Sequence, residues 1–241
     1  MKQEILQKCR VDGNIVRLPE GQLDRKLYQE VAKALELIGG KWVGKKTMGF
    51  VFNEDPTDLL AQIANGDQRN LKKEFQFFET PDEVADWLVQ YAYLNEEHPI
   101  LEPSAGQGAI VKAINRQFPD KQVQCYELMP INVEFLKKIP TVEVIGKDFL
   151  ENEQKFDRII ANPPFAKNQD IDHIYKMFES LNEGGRIVTV ASKHWQLSGN
   201  KKETRFREWL EEIEAEVYDL DAGVFKKSGT MVGTTVLVID K

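Results

Sequence analysis

The sequence contains few of the residues that build disulfide or metal frameworks. It has two cysteines, Cys9 and Cys125, which form no CxxC pair, and three histidines, none of them at ligand spacing. These counts argue against a disulfide framework and against a structural zinc site. We therefore expect no bound metal.

Long apolar runs are also missing. No stretch approaches the ~18 residues that a membrane span needs. The first ten residues alternate polar and apolar side chains and lack the apolar core of a signal peptide. We therefore expect a cytoplasmic protein with no membrane partner.

The composition is that of an ordinary globular protein. The 241 residues are 41% hydrophobic and 29% charged, with a formal net charge of −7. This length accommodates one large domain and a small appendage. The net acidity argues against a broad nonspecific coat of nucleic acid, but it is compatible with a local basic cleft.

The first 70 residues predict a small α+β module. Apolar residues recur at helical spacing from Leu23 to Leu37, and Gly39-Gly40 ends that helix. Two short strands, 41–43 and 50–52, flank a basic loop. A polar, turn-rich stretch then predicts a domain boundary near residue 70. We expect this helix-hairpin module, residues 1–70, to be a substrate-binding appendage or a cover for the second domain.

From residue 71 to 241 the pattern changes to alternating strands and helices. Seven strands are predicted, at residues 99–101, 123–126, 142–145, 156–161, 186–191, 216–220 and 234–239. Strands separated by helices of about ten residues indicate an α/β fold, in which helices cover both faces of a parallel sheet. Ligands of such sheets bind beyond the carboxyl ends of the strands.

A small-residue loop, Leu101 to Gly108, joins the first of these strands to its helix. It is typical either of a tight turn or of a nucleotide-like cofactor lying against the backbone at a helix N-terminus. A dinucleotide site would have a third glycine near Val111. That glycine is missing, and Glu102 would repel phosphates. The loop therefore favours a cofactor with a cationic group and no phosphate.

Acidic residues follow the next two strands. Glu127 comes nineteen residues after Gly108 and could accept both hydroxyl hydrogens of a ribose. Asp148-Phe149 offers a carboxylate and a ring suited to an adenine edge and face. In isolation, Glu127 is equally well an ordinary surface acid, and Phe149 equally well a core residue.

The segment Asn162-Pro163-Pro164-Phe165 follows the fourth strand. Its prolines fix the backbone and leave the carbonyls of Asn162 and Pro163 without strand partners. Together with the Asn162 amide oxygen, these carbonyls can accept hydrogens from an amino group. Phe165 can stack on a planar base.

The spacing of EPSAGQG, Glu127, Asp148-Phe149 and NPPF resembles the S-adenosylmethionine-dependent N6-adenine methyltransferases. The upstream segment FETPDEVADWLV is similar to the extra cofactor-binding segment of gamma-ordered DNA adenine enzymes and of type I modification subunits. The resemblance covers about residues 75–241. It implies a Rossmann-like class I fold, with a mostly parallel seven-stranded sheet, and a role in DNA methylation of the restriction-modification kind.

The resemblance also implies roles for individual residues. The residues expected to bind S-adenosylmethionine are Thr80, Pro81, Glu102, Ser104, Ala105, Gly106, Gly108, Glu127, Asp148, Phe149 and Asn162. Asn162 and Pro163 would accept the two hydrogens of the target N6 amino group. Phe165 would stack on a target base flipped out of the duplex.

Basic residues predict the substrate surface. The residues expected to contact substrate are Pro164, Phe165, Lys193, His194, Lys201, Lys202 and Arg205. These cations could neutralise phosphates; they could equally pair with the glutamates of the same helix. We expect DNA as the partner, with low sequence specificity or a further subunit, a second copy included, that supplies it.

Two alternatives remain open at this stage. An enzyme of this type could act on adenine in RNA or on a glutamine side chain in a protein, because both present a planar amide-like nitrogen. The chain could also be a non-catalytic nucleic-acid-binding subunit that retains the fold.

Overall fold

The computed structural model of this chain describes residues 2–21, 23–52, 55–66, 79–221, 223–226 and 232–241. The chain divides into two units, Met1–Phe75 and Gln76–Lys241. The boundary predicted near residue 70 falls outside the described residues, as do residues 227–231 of the last loop. Within the described ranges, no helix is both long enough and apolar enough to cross a membrane.

The first unit is a four-stranded antiparallel sheet with helices. Its strands are β1 (Arg10–Asp12), β2 (Ile15–Arg17), β3 (Lys41–Val43) and β4 (Gly49–Val51), in the order β1-β2-β4-β3. Its described helices are α1 (Lys2–Gln7), α2 (Arg25–Leu37) and α3 (Thr57–Ala64). The predicted hairpin corresponds to β3 and β4, whereas α1, β1 and β2 were not predicted. β1 and β2 are defined by their pairing with each other and by the pairing of β2 with β4, whereas the equally short β3 and β4 are marked in the sequence by the basic loop between them.

The second unit is built on a seven-stranded sheet. Its strands are β5 (Ile100–Glu102), β6 (Val123–Tyr126), β7 (Val142–Gly146), β8 (Phe156–Ala161), β9 (Leu181–Ser192), β10 (Glu216–Asp219) and β11 (Thr234–Asp240). The order is β10-β11-β9-β8-β5-β6-β7. In this sheet β11 runs antiparallel to both β10 and β9, and the other adjacent pairs are parallel. The predicted mostly parallel seven-stranded α/β fold is confirmed.

Helices pack on both faces of this sheet. They are α4 (Asp82–Tyr91), α5 (Ala109–Gln117), α6 (Pro130–Leu136), α7 (Gln169–Glu179), α8 (His194–Leu197) and α9 (Lys201–Glu212). Because side chains alternate along a strand, Ile160 joins the core that contains α4 and α5. Its neighbours Ile159 and Ala161 join the core that contains α7 and α9. Each face therefore has its own apolar core.

The chain order of the strands reverses at β5. From β5 the chain proceeds to β6 and β7 on one side, and it then returns to β8 on the other. The carboxyl ends of β5 and β8 thus border the crevice where ligands of open α/β sheets bind.

One strand is longer than predicted. The sequence predicts a helix that includes Leu181 and a strand at 186–191, but α7 ends at Glu179 and β9 already begins at Leu181. Leu181 pairs with Phe156 at the start of β8, and Gly184 donates its amide hydrogen to the carbonyl of Lys241 at 2.7 Å. These long-range pairs extend the strand beyond its apolar segment.

A side chain at Gly108 should be destabilising, because this position combines a left-handed backbone with close neighbours. Its φ is +77°, and a Cβ there would lie 2.6 Å from Cδ1 of Ile139. Gly184 has φ +75° but nothing within 4 Å. We expect Gly184→Ala to cost about 1–2 kcal/mol of unfolding free energy through backbone strain alone. Gly108→Ala should cost about 1 kcal/mol more through crowding. Chemical denaturation measures the unfolding free energy of both variants. Equal losses of stability in the two would contradict the contribution of crowding at Gly108.

Candidate active site

The loop after β5 is held against the end of β6. The amide of Ala105 donates to the carbonyl of Tyr126 at 3.1 Å, and the amide of Gly108 donates to the carbonyl of Ala105 at 2.8 Å. Gly106 and Gly108 both have positive φ, and Gly108 forms the N-cap of α5. The left-handed glycines thus turn the loop directly into the helix. Ser104, in the same loop, is half-buried.

Glu127 connects this loop to the segment that follows β6. One carboxylate oxygen accepts from the amide of Gly106 and the other from the amide of Met129, each at 2.7 Å. Burial raises the pKa of the Glu127 carboxyl, although bonds from Met129, Gly106 and the side chain of Asn132 act in the opposite direction. A carboxylate has about four lone-pair positions, so these three donors leave room for a further hydrogen.

Glu102, at the end of β5, is 2% exposed. Its Oε2 has no hydrogen-bond partner in the part of the chain that the structure describes. Burial raises the pKa of this carboxyl well above its usual value, and Glu127 raises it further, while a bond from the amide of Val111 lowers it. A nearby cation would favour the charged form. The site therefore fits a ligand with a cationic group, as the sequence predicts.

Asp148 and Phe149 follow β7 and begin a short 3₁₀ turn. Oδ1 of Asp148 accepts from the amide of Leu150 at 3.0 Å and so caps the turn. Phe149 is 1% exposed, and its ring centroid lies 5.7 Å from that of Tyr126 and 5.9 Å from that of His173. Its ring therefore belongs to the core, which leaves Asp148 as the more accessible of the two residues.

The segment Asn162 to Phe165 begins where β8 ends. Nδ2 of Asn162 donates to Oγ1 of Thr80 at 3.1 Å, across 82 positions of the chain. Thr80 is buried and lies just before Pro81, the N-cap residue of α4. The structure thus brings together two motifs that the sequence placed in one site.

Pro163 is buried, whereas Pro164 and Phe165 are half-buried. Phe165 packs against the core on the α4 and α5 side of the sheet. The chain then forms a 3₁₀ turn, Ala166–Asn168, before α7 begins. The aromatic ring is therefore held in place but keeps part of its surface accessible.

Several predicted substrate-binding cations already have partners. Nζ of Lys193 lies 3.1 Å from Asp219, and Nζ of Lys202 lies 2.7 Å from Asp172. His194 lies 3.5 Å from Glu203. Lys201 and Arg205 are exposed, and neither has an ion pair within the described residues.

Sequence reasoning did not single out two buried acids of this region. Asp170, at the start of α7, is fully buried and accepts from the amide and hydroxyl of Ser192 at 2.9 and 2.8 Å. Glu203, on α9, is 1% exposed. The sequence shows that each of these acids lies in a helix. It does not show that they accept buried hydrogen bonds, because their partners lie far away along the chain. The described residues contain no cluster of three His, Cys, Asp or Glu side chains arranged to hold a metal ion.

Comparisons with known proteins place this geometry among methyltransferases. A family model described as "Methyltransferase small domain" matches residues 78–219, more than half of the chain. The chain is 28% identical to Type II methyltransferase M.AccI from Acinetobacter calcoaceticus over 109 residues, which is 42% of this chain and 20% of the relative. It is 24% identical to a release factor glutamine methyltransferase from Clostridium acetobutylicum over 119 residues, which is 44% of this chain and 40% of the relative.

Among solved structures, the M protein of the type I restriction enzyme EcoKI superposes with a TM-score of 0.56 at 18% identity. The match covers 99% of this chain and 56% of that one. At this identity the likeness shows the fold alone. The alignments with the two curated relatives span a fifth to two fifths of the relatives' own lengths.

Glu102→Gln should stabilise the ligand-free protein at neutral and higher pH. Since the pKa of Glu102 is raised by folding, the stability of the wild type falls as pH rises from its unfolded-state pKa through its folded-state pKa. Glutamine has no proton to lose. The free energy of unfolding of the variant should therefore exceed that of the wild type by about 1 kcal/mol or more at pH 8, and the two should agree near pH 4.

Chemical denaturation at the two pH values measures this difference. Glu134→Gln, at an exposed residue paired with Lys137, is the matched control and should change stability by less than about 0.5 kcal/mol at either pH. A Glu102→Gln effect that does not depend on pH would contradict the assignment.

Proposed function

Because this chain belongs to the methyltransferase small domain family, and its cofactor is S-adenosylmethionine, we propose that it methylates the N6 amino group of adenine in DNA. The observation that carries the proposal is the hydrogen bond between Asn162 and Thr80. It fixes the NPPF segment beside the segment that resembles the cofactor-binding region of DNA adenine enzymes.

S-adenosylmethionine supplies a methyl group on a sulfonium, which is a strong electrophile. Glu102 would lie near its ammonium group, where the unpartnered Oε2 can accept a hydrogen bond. The glycines at 106 and 108 let the backbone approach the ligand. Glu127 would accept from the ribose hydroxyls with the lone pairs that its amide partners leave, and Asp148 would accept from the adenine amino group.

Asn162 and Pro163 would prepare the target nitrogen. The N6 lone pair of adenine is delocalised into the ring, so the amino group is a poor nucleophile. The amide oxygen of Asn162 and the carbonyl oxygen of Pro163 would each accept one of its hydrogens and draw the group toward tetrahedral geometry. Phe165 would stack on the ring and hold it in line. Positioning and electrostatics then supply most of the rate enhancement.

The identity of the acceptor is the finer part of the proposal. The resemblance to DNA adenine enzymes and the likeness to M.AccI support DNA. The likeness to a release factor glutamine methyltransferase supports a protein glutamine as the second candidate. Lys201 and Arg205 would contact phosphates of a nucleic-acid substrate. The first unit and a partner subunit, a second copy included, are the proposed sources of sequence specificity.

Substitutions in the NPPF segment should reduce methyl transfer without loss of folding. Removing one preorganised hydrogen-bond donor from an oxyanion hole costs about 100–1,000-fold in kcat, and we expect loss of the preorganised acceptor in Asn162→Ala to have a similar effect. Phe165→Ala should lower kcat/KM about 10–100-fold through lost stacking, and Phe165→Trp should retain most activity. Transfer of labelled methyl groups to double-stranded DNA, single-stranded DNA, RNA and protein, with products resolved by mass spectrometry, measures these effects.

Asn182→Ala is the matched control. It also removes one side-chain hydrogen bond, from Asn182 to Asp157, but it lies at the start of β9 and should leave kcat unchanged. Wild-type label in glutamine or in RNA alone would reject the DNA assignment. No N6-methyladenine on any DNA, with cofactor demonstrably bound, would reject it as well.

A further inference from the structure

The chain takes an uncommon backbone conformation just after the NPPF segment. Lys167 and Asn168 have φ of +53° and +58°, so two consecutive residues other than glycine occupy the left-handed region. Such residues persist only where their surroundings hold them, and they cluster at functional sites. The amide of Asn168 donates to the carbonyl of Phe165 at 3.2 Å. The position of Asn168 is thereby tied to that of Phe165.

Two neighbouring residues of α9 hold Asn168. Its Nδ2 donates to Oε1 of Glu203 at 2.8 Å, and its carbonyl accepts from Nζ of Lys202 at 2.8 Å. Lys202 also contacts Asp172 at 2.7 Å, in the first turn of α7. The segment after Phe165 is therefore fixed from α9 at both its side chain and its backbone.

The same oxygen of Glu203 also binds the loop that follows β9. It accepts from the hydroxyl of Ser198 and from Nδ2 of Asn200, each at 3.2 Å, and Nε2 of His194 lies 3.5 Å away. His194 belongs to the surface expected to meet the substrate. One buried carboxylate thus joins the loop of the target pocket to the loop of the substrate surface.

Helix capping explains only part of this cluster. Asn200 is the N-cap residue of α9 and Glu203 is its third helical residue, so a contact between them resembles a capping box. Ser198 lies just before the cap. Asn168, by contrast, lies 35 positions away, and its bond to Glu203 has no role in capping α9.

We propose that Glu203 is a positioning residue that acts through Asn168. It holds the residues after the NPPF segment, so that Phe165 and the acceptors of Asn162 and Pro163 keep their positions relative to the segment 194–200. This inference rests on the proposed function for its chemistry. The contacts themselves do not depend on which acceptor is methylated.

Asn168→Gly tests the bond without disturbing the backbone. Glycine adopts positive φ freely, so the variant removes the side-chain bond to Glu203 and relieves strain. We expect kcat to fall about tenfold with KM for the cofactor within about twofold of the wild type. Lys167→Gly is the matched control: it relieves the same strain at an exposed neighbour and should leave kcat unchanged. Equal kcat in both variants would overturn the proposal.

A double-mutant cycle separates positioning from general stability. If Glu203 acts through Asn168, Glu203→Gln in the Asn168→Gly background should lower kcat by less than about twofold, although it lowers the wild-type kcat several-fold. Effects that multiply would overturn the proposal. The assay uses whichever acceptor the wild type methylates. Activity on RNA or glutamine alone would thus reject DNA as the substrate, and the positioning role of Glu203 could still be tested with that acceptor.

Hydrogen exchange gives a readout that needs no acceptor. Amides of residues 165–168 should exchange at least about fivefold faster in Asn168→Gly than in Lys167→Gly, because only the first variant loses the side-chain bond to Glu203. Equal exchange in the two variants would overturn the proposal, even for a preparation that methylates none of the acceptors tested.

Discussion

Parallel pairing of β5, β6, β7 and β8 is the constraint on which the rest of the site depends. Because parallel strands end at the same edge of a sheet, the loops that follow them are brought together although they are spread over some sixty residues of sequence. The glycine loop, Glu127, Asp148 and Asn162 each follow one of these four strands. The bonds from Glu127 to the amides of Gly106 and Met129 then fix two of the loops to each other.

Much of this arrangement is predictable because it is local. Strands β6 and β8 have the bounds that their apolar runs predict, and the glycine loop and the NPPF segment lie directly after strands, where ligands bind. Strands β1 and β2 of the first unit were not predicted, since pairing rather than pattern defines them. Nor were the roles of Asp170 and Glu203, whose partners Ser192 and Asn168 lie 22 and 35 positions away.

The ion pairs of the basic residues could not be predicted from the sequence. A run of cations after β9 predicts a phosphate-binding surface, but a sequence does not show which cations already have partners. Lys193 pairs with Asp219, and Lys202 binds Asp172 and the carbonyl of Asn168. Two of the three N–H groups of the Lys202 ammonium are thus already used, which leaves one to donate to a phosphate. Fewer cations are therefore available to bind substrate than the sequence suggests. Some of them stabilise the segment after β9 instead.

The four buried acids of the described residues differ in how well hydrogen bonds compensate for the burial of their carboxyl groups. Burial disfavours a carboxylate unless hydrogen bonds compensate. For Glu203, burial acts to raise the pKa, but the donors around its carboxylate outweigh it and the pKa is lowered. Glu127 and Asp170 also accept hydrogen bonds, but burial outweighs these bonds and the pKa of each carboxyl is raised. Glu102 has a pKa raised well above its usual value, one amide donor, and an oxygen without a described partner. A cationic ligand gains most binding free energy beside an acid with so few hydrogen bonds, because the ligand supplies the missing partner. The same imbalance that destabilises the ligand-free protein therefore favours binding of a cofactor with a cationic group.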